Sequence, residues 1–230
     1  MNNYKIATLL CFSLLMAACK TTPQGTLLLK ADTLSAQNGK VGIVMTAMPK
    51  VDTTFPGASC LLCLATASAA NSGLTKHAHT MSNQDFAKLK EQIADTLRKK
   101  NVEVTVIAED FSTKGLKDMT DSKPNAATKD LRPLKEKYHI DHLVVVDIRF
   151  VGFLRNYSAY ISRGDPIATV QGTLSVVNLS SNAYELFQDL NVIKAADGTW
   201  SEPPDYPGLT NAYFNAVEAS KDQVLVSFRQ

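Results

Sequence analysis

The chain has 230 residues, 45% of them hydrophobic and 20% charged, with 24 Lys and Arg against 22 Asp and Glu. That is enough chain for one domain with a real core, and the composition is neither disordered nor fibrous. A formal charge of +2, with no basic patch interleaved with aromatics, excludes an electrostatic case for nucleic acid.

Read in chain order, residues 1–18 have the plan of a secretory leader. Lys5 supplies the positive start, Ile6 to Met16 the apolar run, and Ala17-Ala18 the small flank. The run covers about 11 residues where roughly 20 are needed to span a bilayer, so a plain transmembrane anchor is disfavoured. Leu15-Met16-Ala17-Ala18-Cys19 resembles the lipobox of bacterial lipoproteins, with Met16 where Leu is commoner. The resemblance implies that the Cys19 thiol takes a diacylglyceryl group, that residues 1–18 are removed as the signal peptide, and that the new terminus is acylated (palmitate is the expected chain). Lys20 follows the Cys. Its not being Asp implies, by the enteric-type sorting pattern, the outer membrane facing the periplasm. Several acyl chains at about 0.8 kcal/mol per buried methylene make such an anchor permanent.

Residues 19–40, rich in Thr, Ser, Gln, Asn and Gly, read as a lipidated tether, and 41–230 as a single domain. Val41 to Thr46 is a first strand. Asn83 to Lys100 is predicted as a helix, with Phe86, Leu89, Ile93 and Leu97 on one face and Ser82 with Asp85 as a capping box. Val102 to Ile107 alternates as a half-buried strand. Residues 113–129 read as loop, and Leu131 to Tyr138 as a short helix capped by Asp130. Leu143 to Ile148, continuing to about Leu154, is aliphatic enough for a central strand. Asn156 to Ser162, Ile167 to Asn178, and the segment carrying Tyr184 to Val192 read as meandering antiparallel strands. Arg163-Gly164-Asp165-Pro166 and Ser180-Ser181-Asn182 serve as their turns. Thr210 to Phe228 closes as a helix with Tyr213, Val217, Val224 and Phe228 inward. The order β-α-β-α-β-β-β-β-α predicts an α/β (α+β) fold, a mixed β-sheet with helices packed on it.

Three segments carry a second resemblance: Val41 to Thr46, the helix running into Lys100-Asn101-Val102-Glu103-Val104, and Tyr138-His139-Ile140-Asp141-His142-Leu143-Val144-Val145-Val146. Their layout resembles the periplasmic lipoprotein domains related to CsgG, LpoB and the amino-terminal domain of TolB, over roughly residues 40–230. Members act as secretion channels, activators or assembly factors, so the resemblance implies an envelope role without choosing one.

From Thr53 to Thr75 there is no charged residue. This apolar insertion, with Phe55, Leu61, Leu62 and Leu64, is read either as a membrane or partner contact or as a helix buried over the sheet. Ser59, Cys63 and Ala67 would line a small-residue stripe for close helix approach. Pro56, Gly57 and Asn71 bracket too few residues for a membrane span. Cys60, Cys63, His77 and His79 make C-x2-C-x13-H-x-H, donors that zinc or copper accepts, though the histidines sit closer than in a zinc finger. The same C-x-x-C can be a disulfide or a redox pair in an oxidising compartment. His139 and His142 read as exposed imidazoles at a helix-to-strand corner. Tyr157, Tyr160, Trp200 and Tyr206 read either as exposed interface anchors or as satellite packing over the last helix. No nucleophile elbow, Walker, zincin or dinucleotide pattern occurs.

The expectation is therefore a non-enzymatic, lipid-anchored binding or assembly module of the cell envelope. Its lipid on Cys19 would be its only prosthetic group, and envelope proteins or further copies of itself its partners. Two alternatives stand beside it: a periplasmic metal-binding or thiol-redox protein, and a subunit of an oligomeric export channel.

Overall fold

The computed structural model describes residues 24–119 and 123–229. The expected signal peptide, residues 1–18, and the expected lipid site at Cys19 lie outside the described residues. Six strands form one mixed sheet: β1 (Val41–Met45), β2 (Asp52–Thr54), β3 (Val104–Val106), β4 (His142–Ser158), β5 (Ile161–Asn178) and β6 (Ala183–Ala195). The order is β3-β1-β4-β5-β6, with β2 also paired to β4. β1 runs parallel to β3 and β4, while β4, β5 and β6 are antiparallel. Five helices accompany the sheet: α1 (Leu61–Ala70), α2 (Ser72–Thr80), α3 (Leu89–Arg98), α4 (Pro133–Tyr138) and α5 (Pro207–Arg229).

Alternation decides the layers. In β1, Val41, Ile43 and Met45 enter the main core while Val44 enters the core on the other face. All five residues are buried, as a parallel strand covered on both sides must be. Val144, Val146, Ile148, Val170, Leu174 and Val176 face α3 and α5, whose Ile93, Leu97, Tyr213, Val217, Val224 and Phe228 close that side. Leu143, Val145 and Val177 face the 111–140 segment, closed by Leu131, Leu134 and Ile140.

The mixed sheet with helices packed on it is as expected; β2 and the helices α1 and α2 are additions to the predicted element order, and three segments depart from their readings. The helix predicted from Asn83 begins at Leu89 after a separate 3-10 turn, Gln84–Phe86. Ser82 Oγ there accepts the Gln84 amide, two residues on rather than three. Asn156 to Ser162 is not a strand of its own: the chain reverses at Ala159, at φ 53°, and Tyr160. Arg163 to Pro166 lies within β5, in the register shift between Leu154–Ile167 and Asn156–Arg163. A bulge tolerates both the glycine and a proline that cannot donate. Lastly, residues 24–40 are not all tether. Leu27 exchanges both backbone hydrogen bonds with Phe187, at 2.8 and 2.9 Å, and Leu34 is buried in the main core.

The consequence that matters for function is a projecting arm. β6 pairs with β5 only from Ile167 onward, and β2 leaves β4 at Leu154. Beyond that point the β4–β5 hairpin continues, with the 55–57 segment accepting its outward backbone hydrogen bonds. Tyr157 N–H donates to the Pro56 carbonyl (2.7 Å) and Ala159 N–H to that of Gly57 (3.0 Å). Gly57 has φ 86°, and a Cβ there would meet the Tyr157 carbonyl, so only glycine fits. The arm carries α1.

Candidate functional site

The helix α1 has the sequence LLCLATASAA, apolar or small around its whole circumference. Cys60 caps it, its Sγ accepting the Cys63 amide at 2.9 Å, and a disulfide joins Cys60 to Cys63. Only Cys63 and Ala67 are buried, against Ala58, Tyr157 and half-buried Phe55. The predicted small-residue stripe is therefore spent inside the chain, with Ser59 left out of it. Small side chains at these two positions let α1 lie close to the arm.

Asn71, at the joint between α1 and α2, fixes this seat. Its Nδ2 donates to the Ala67 carbonyl and to Tyr157 Oη, both at 2.7 Å, and its Oδ1 accepts from Arg155 at 3.0 Å. The side chain is buried and fully used.

The rest of α1 faces outward. Leu61, Leu62 and Leu64 are 86%, 69% and 46% exposed, and at the adjoining turn Tyr160 and Ile161 are 53% and 64% exposed. Cys60 Sγ lies 3.6 Å from Tyr160 Oη, which makes helix and turn one surface. For α1 the reading as core filling is corrected by these exposures, while Leu74 of α2, in the same uncharged stretch, is buried in the main core. A helix apolar all round is normally buried, and each leucine would gain about 1.5–3 kcal/mol from full burial. That gain is unused among the described residues.

Of the aromatic residues predicted as interface anchors, Tyr160 alone is well exposed. Tyr157 is buried, edge-on to Phe55 at 5.9 Å. Trp200 and Tyr206 are half-buried and stacked on each other at 6.1 Å. Tyr206 continues through His77 to Phe153 and Tyr213, a run of rings leading into the core. The Arg155 guanidinium covers the outer Trp200 face at 4.8 Å. The expectation of exposure fails here because loop 196–206 folds back over α2 and β4.

The Cys and His set is not assembled as a metal centre. His77 Nε2 lies 2.8 Å from Thr210 Oγ1, with its pKa lowered by burial against an opposing pull from Asp205. His79 Nε2 lies 3.0 Å from Asp52 Oδ1 instead. Among the described residues no three His, Cys, Asp or Glu groups meet closely enough to hold a metal ion. Both sulfurs are spent in the disulfide.

His142 is buried rather than exposed, at the opposite end of the sheet. Its Nδ1 lies 2.7 Å from Glu185 Oε2 and its Nε2 2.9 Å from the Asn38 carbonyl. Burial pulls its pKa down, but the Glu185 hydrogen bond and charge, the Asn38 carbonyl and Asp141 more than reverse this and leave it raised. An open cavity of about 630 Å³ lies beside the pair, walled by Leu27, Asp32, Asn125 and Tyr184. Asp147 accepts from Thr46 Oγ1 at 2.9 Å, and Arg149 donates to the Gly172 carbonyl at 3.2 Å.

Two features of the candidate site escaped the sequence. Ile161 carried a signal, an apolar β-branched residue next to a turn. Asn71 carried almost none, since a lone Asn between two short helices reads as a break.

No helix of the described residues is long and apolar enough to cross a membrane. No protein family and no curated protein matches the sequence. Solved structures with a similar course include the PelC dodecamer from Paraburkholderia phytofirmans, at 9% identity and TM-score 0.35, over 89% of this chain and 95% of that one. The hypothetical protein CT253 from Chlamydia trachomatis is 11% identical at TM-score 0.28, over 81% and 99%. Lipoprotein GNA1162 from Neisseria meningitidis is 13% identical at TM-score 0.32, over 80% and 97%. At these identities and scores the likeness says nothing of function.

Proposed function

We propose that this chain is a lipid-anchored, non-enzymatic binding module of the bacterial cell envelope, held at the outer membrane on its periplasmic side and acting through protein contacts made by α1. The observation that carries the reading is the uncharged helix whose Leu61, Leu62 and Leu64 stand in solvent at the end of an arm. Contiguous exposed apolar surface of this kind marks interaction sites. The lipobox ending at Cys19 supplies the address. Tethering raises the effective concentration of α1 for partners on the same membrane without any new contact.

The test uses the full chain in a bacterial envelope, with Leu62 replaced by the photo-crosslinker p-benzoylphenylalanine. Protein adducts from position 62, lost when Cys19→Ser removes the lipid site, support the reading. Recovery of Cys19→Ser in the membrane fraction at the wild-type level, or adducts to lipid alone, overturns it.

One observation favours a second reading, thiol–disulfide exchange at Cys60–Cys63. Cys60 is exposed and Cys63 buried, and a helix-start amide donates to Cys60 Sγ, the arrangement that favours a thiolate there once the bond is reduced. Equilibration with glutathione buffers tests it: a pair that stays oxidised throughout is structural.

A further inference from the structure

Resting on the reading of α1 as the contact face, we infer that its partner is α1 of a second copy of this chain, related by a two-fold axis. Three observations point the same way.

The first is charge. An isologous contact sets one patch against a copy of the same patch, so a patch of one charge opposes like with like. Residues 53–75 contain no ionisable acid or base in a chain that has 24 basic and 22 acidic residues. The two cysteines of the face are joined to each other. This is the stretch of the molecule on which self-pairing meets no repulsion of its own.

The second is size. The exposed parts of Leu61, Leu62, Leu64, Tyr160 and Ile161 come to roughly 500–600 Å² of apolar surface. Two such faces together reach about 1,000–1,200 Å², the lower edge of specific interfaces. The small exposed residues Ala65, Thr66 and Ala69 add to that area and let a second helix approach.

The third is where the chain enters. Gln24 Nε2 bonds Asn125 Oδ1, and Leu27 pairs with Phe187, which lies across the sheet from Ser175 and Val145. From Val145 to the arm's end at Ser158, β4 runs roughly 40 Å. Cys19 stands five residues before Gln24, a reach of at most about 18 Å. The bilayer that holds Cys19 therefore meets α1 only if the whole sheet lies flat on it. A second copy anchored in the same leaflet instead presents its α1 at the same height. The two faces are brought into register by their anchors.

The experiment co-expresses two differently tagged copies of the full lipidated chain, with p-benzoylphenylalanine at Leu62, and at exposed Glu136 as a control. The expected result is an adduct carrying both tags from position 62 and none from 136. Leu61→Lys in both copies lowers that adduct at least tenfold. Leu61→Glu in both does the same, whereas one copy of each recovers part of it, because the patch then carries opposite instead of like charges. Leu61 is exposed, so both variants melt as the wild type does, and melting is measured alongside. Adducts joining position 62 to a different protein overturn this inference and leave the contact module standing. An absence of any protein adduct overturns both.

Discussion

Glu185 accepts a hydrogen bond from His142 at 2.7 Å while the Asn38 carbonyl occupies the other ring nitrogen at 2.9 Å. A carboxylate and a carbonyl only accept, so both nitrogens must donate and the imidazole is satisfied only when protonated. The pair joins β4 and β6 to the 24–40 segment.

A histidine whose pKa is raised by folding holds its proton more tightly in the native state than in the unfolded one. Its stabilisation is complete below the ordinary value of about 6.5 and is lost as pH rises through the higher folded value. Urea unfolding should show the midpoint falling from pH 6 to pH 9, with His142→Gln flattening that slope. Glu185→Ala should cost about 2 kcal/mol at pH 6. A wild-type midpoint that rises over this interval would rule out the imidazolium.

The chain has a single tryptophan, Trp200, and Arg155 lies over it. Arg155 also donates to Asn71 Oδ1 and, from Nε, to the Gly164 carbonyl at 3.2 Å. Arg155→Ala removes the cation from the ring and leaves a buried amide oxygen unpartnered. The expected cost is about 1–3 kcal/mol, with Trp200 emission shifted to the red and more open to quenching. Unchanged fluorescence and stability would mean that the arm is held by other contacts.

Two functions of Cys60 separate by substitution. The disulfide closes so short a loop that its entropic contribution is at most about 2 kcal/mol. Cys60→Ser loses the bond but keeps an oxygen to accept the Cys63 amide, whereas Cys60→Ala loses the cap as well, about 1 kcal/mol more. Hydrogen exchange over residues 61–70 should therefore be faster in Cys60→Ala than in Cys60→Ser. Equal rates would remove the cap from the account of why α1 persists while mostly exposed.

Much of the fold was legible because burial leaves a period. Val41 to Met45 and Leu143 to Ile148 read as central strands, and the stripe through Tyr213, Val217, Val224 and Phe228 read as an inward helix face. Each of these segments has a core to one or both sides, and the alternation or the 3.6 repeat records it. The helix α1 leaves no such record. With apolar and small residues on every side it has no preferred face, so its composition announced a contact without saying whether the contact was internal. His142 was misjudged for a related reason: its acceptors lie 43 and 104 residues away along the chain.

The sequence by itself therefore supplied the lipobox-like motif ending at Cys19 on which the proposed address rests, the class of sheet, and the existence of one uncharged stretch. These are local properties of composition and period. Only the tertiary structure decided which way that stretch faces. The β4–β5 arm outruns its neighbours, and Cys63, Ala67 and Asn71 anchor α1 by its smallest side chains. Three leucines then stand outward because no element of the described chain is left to cover them.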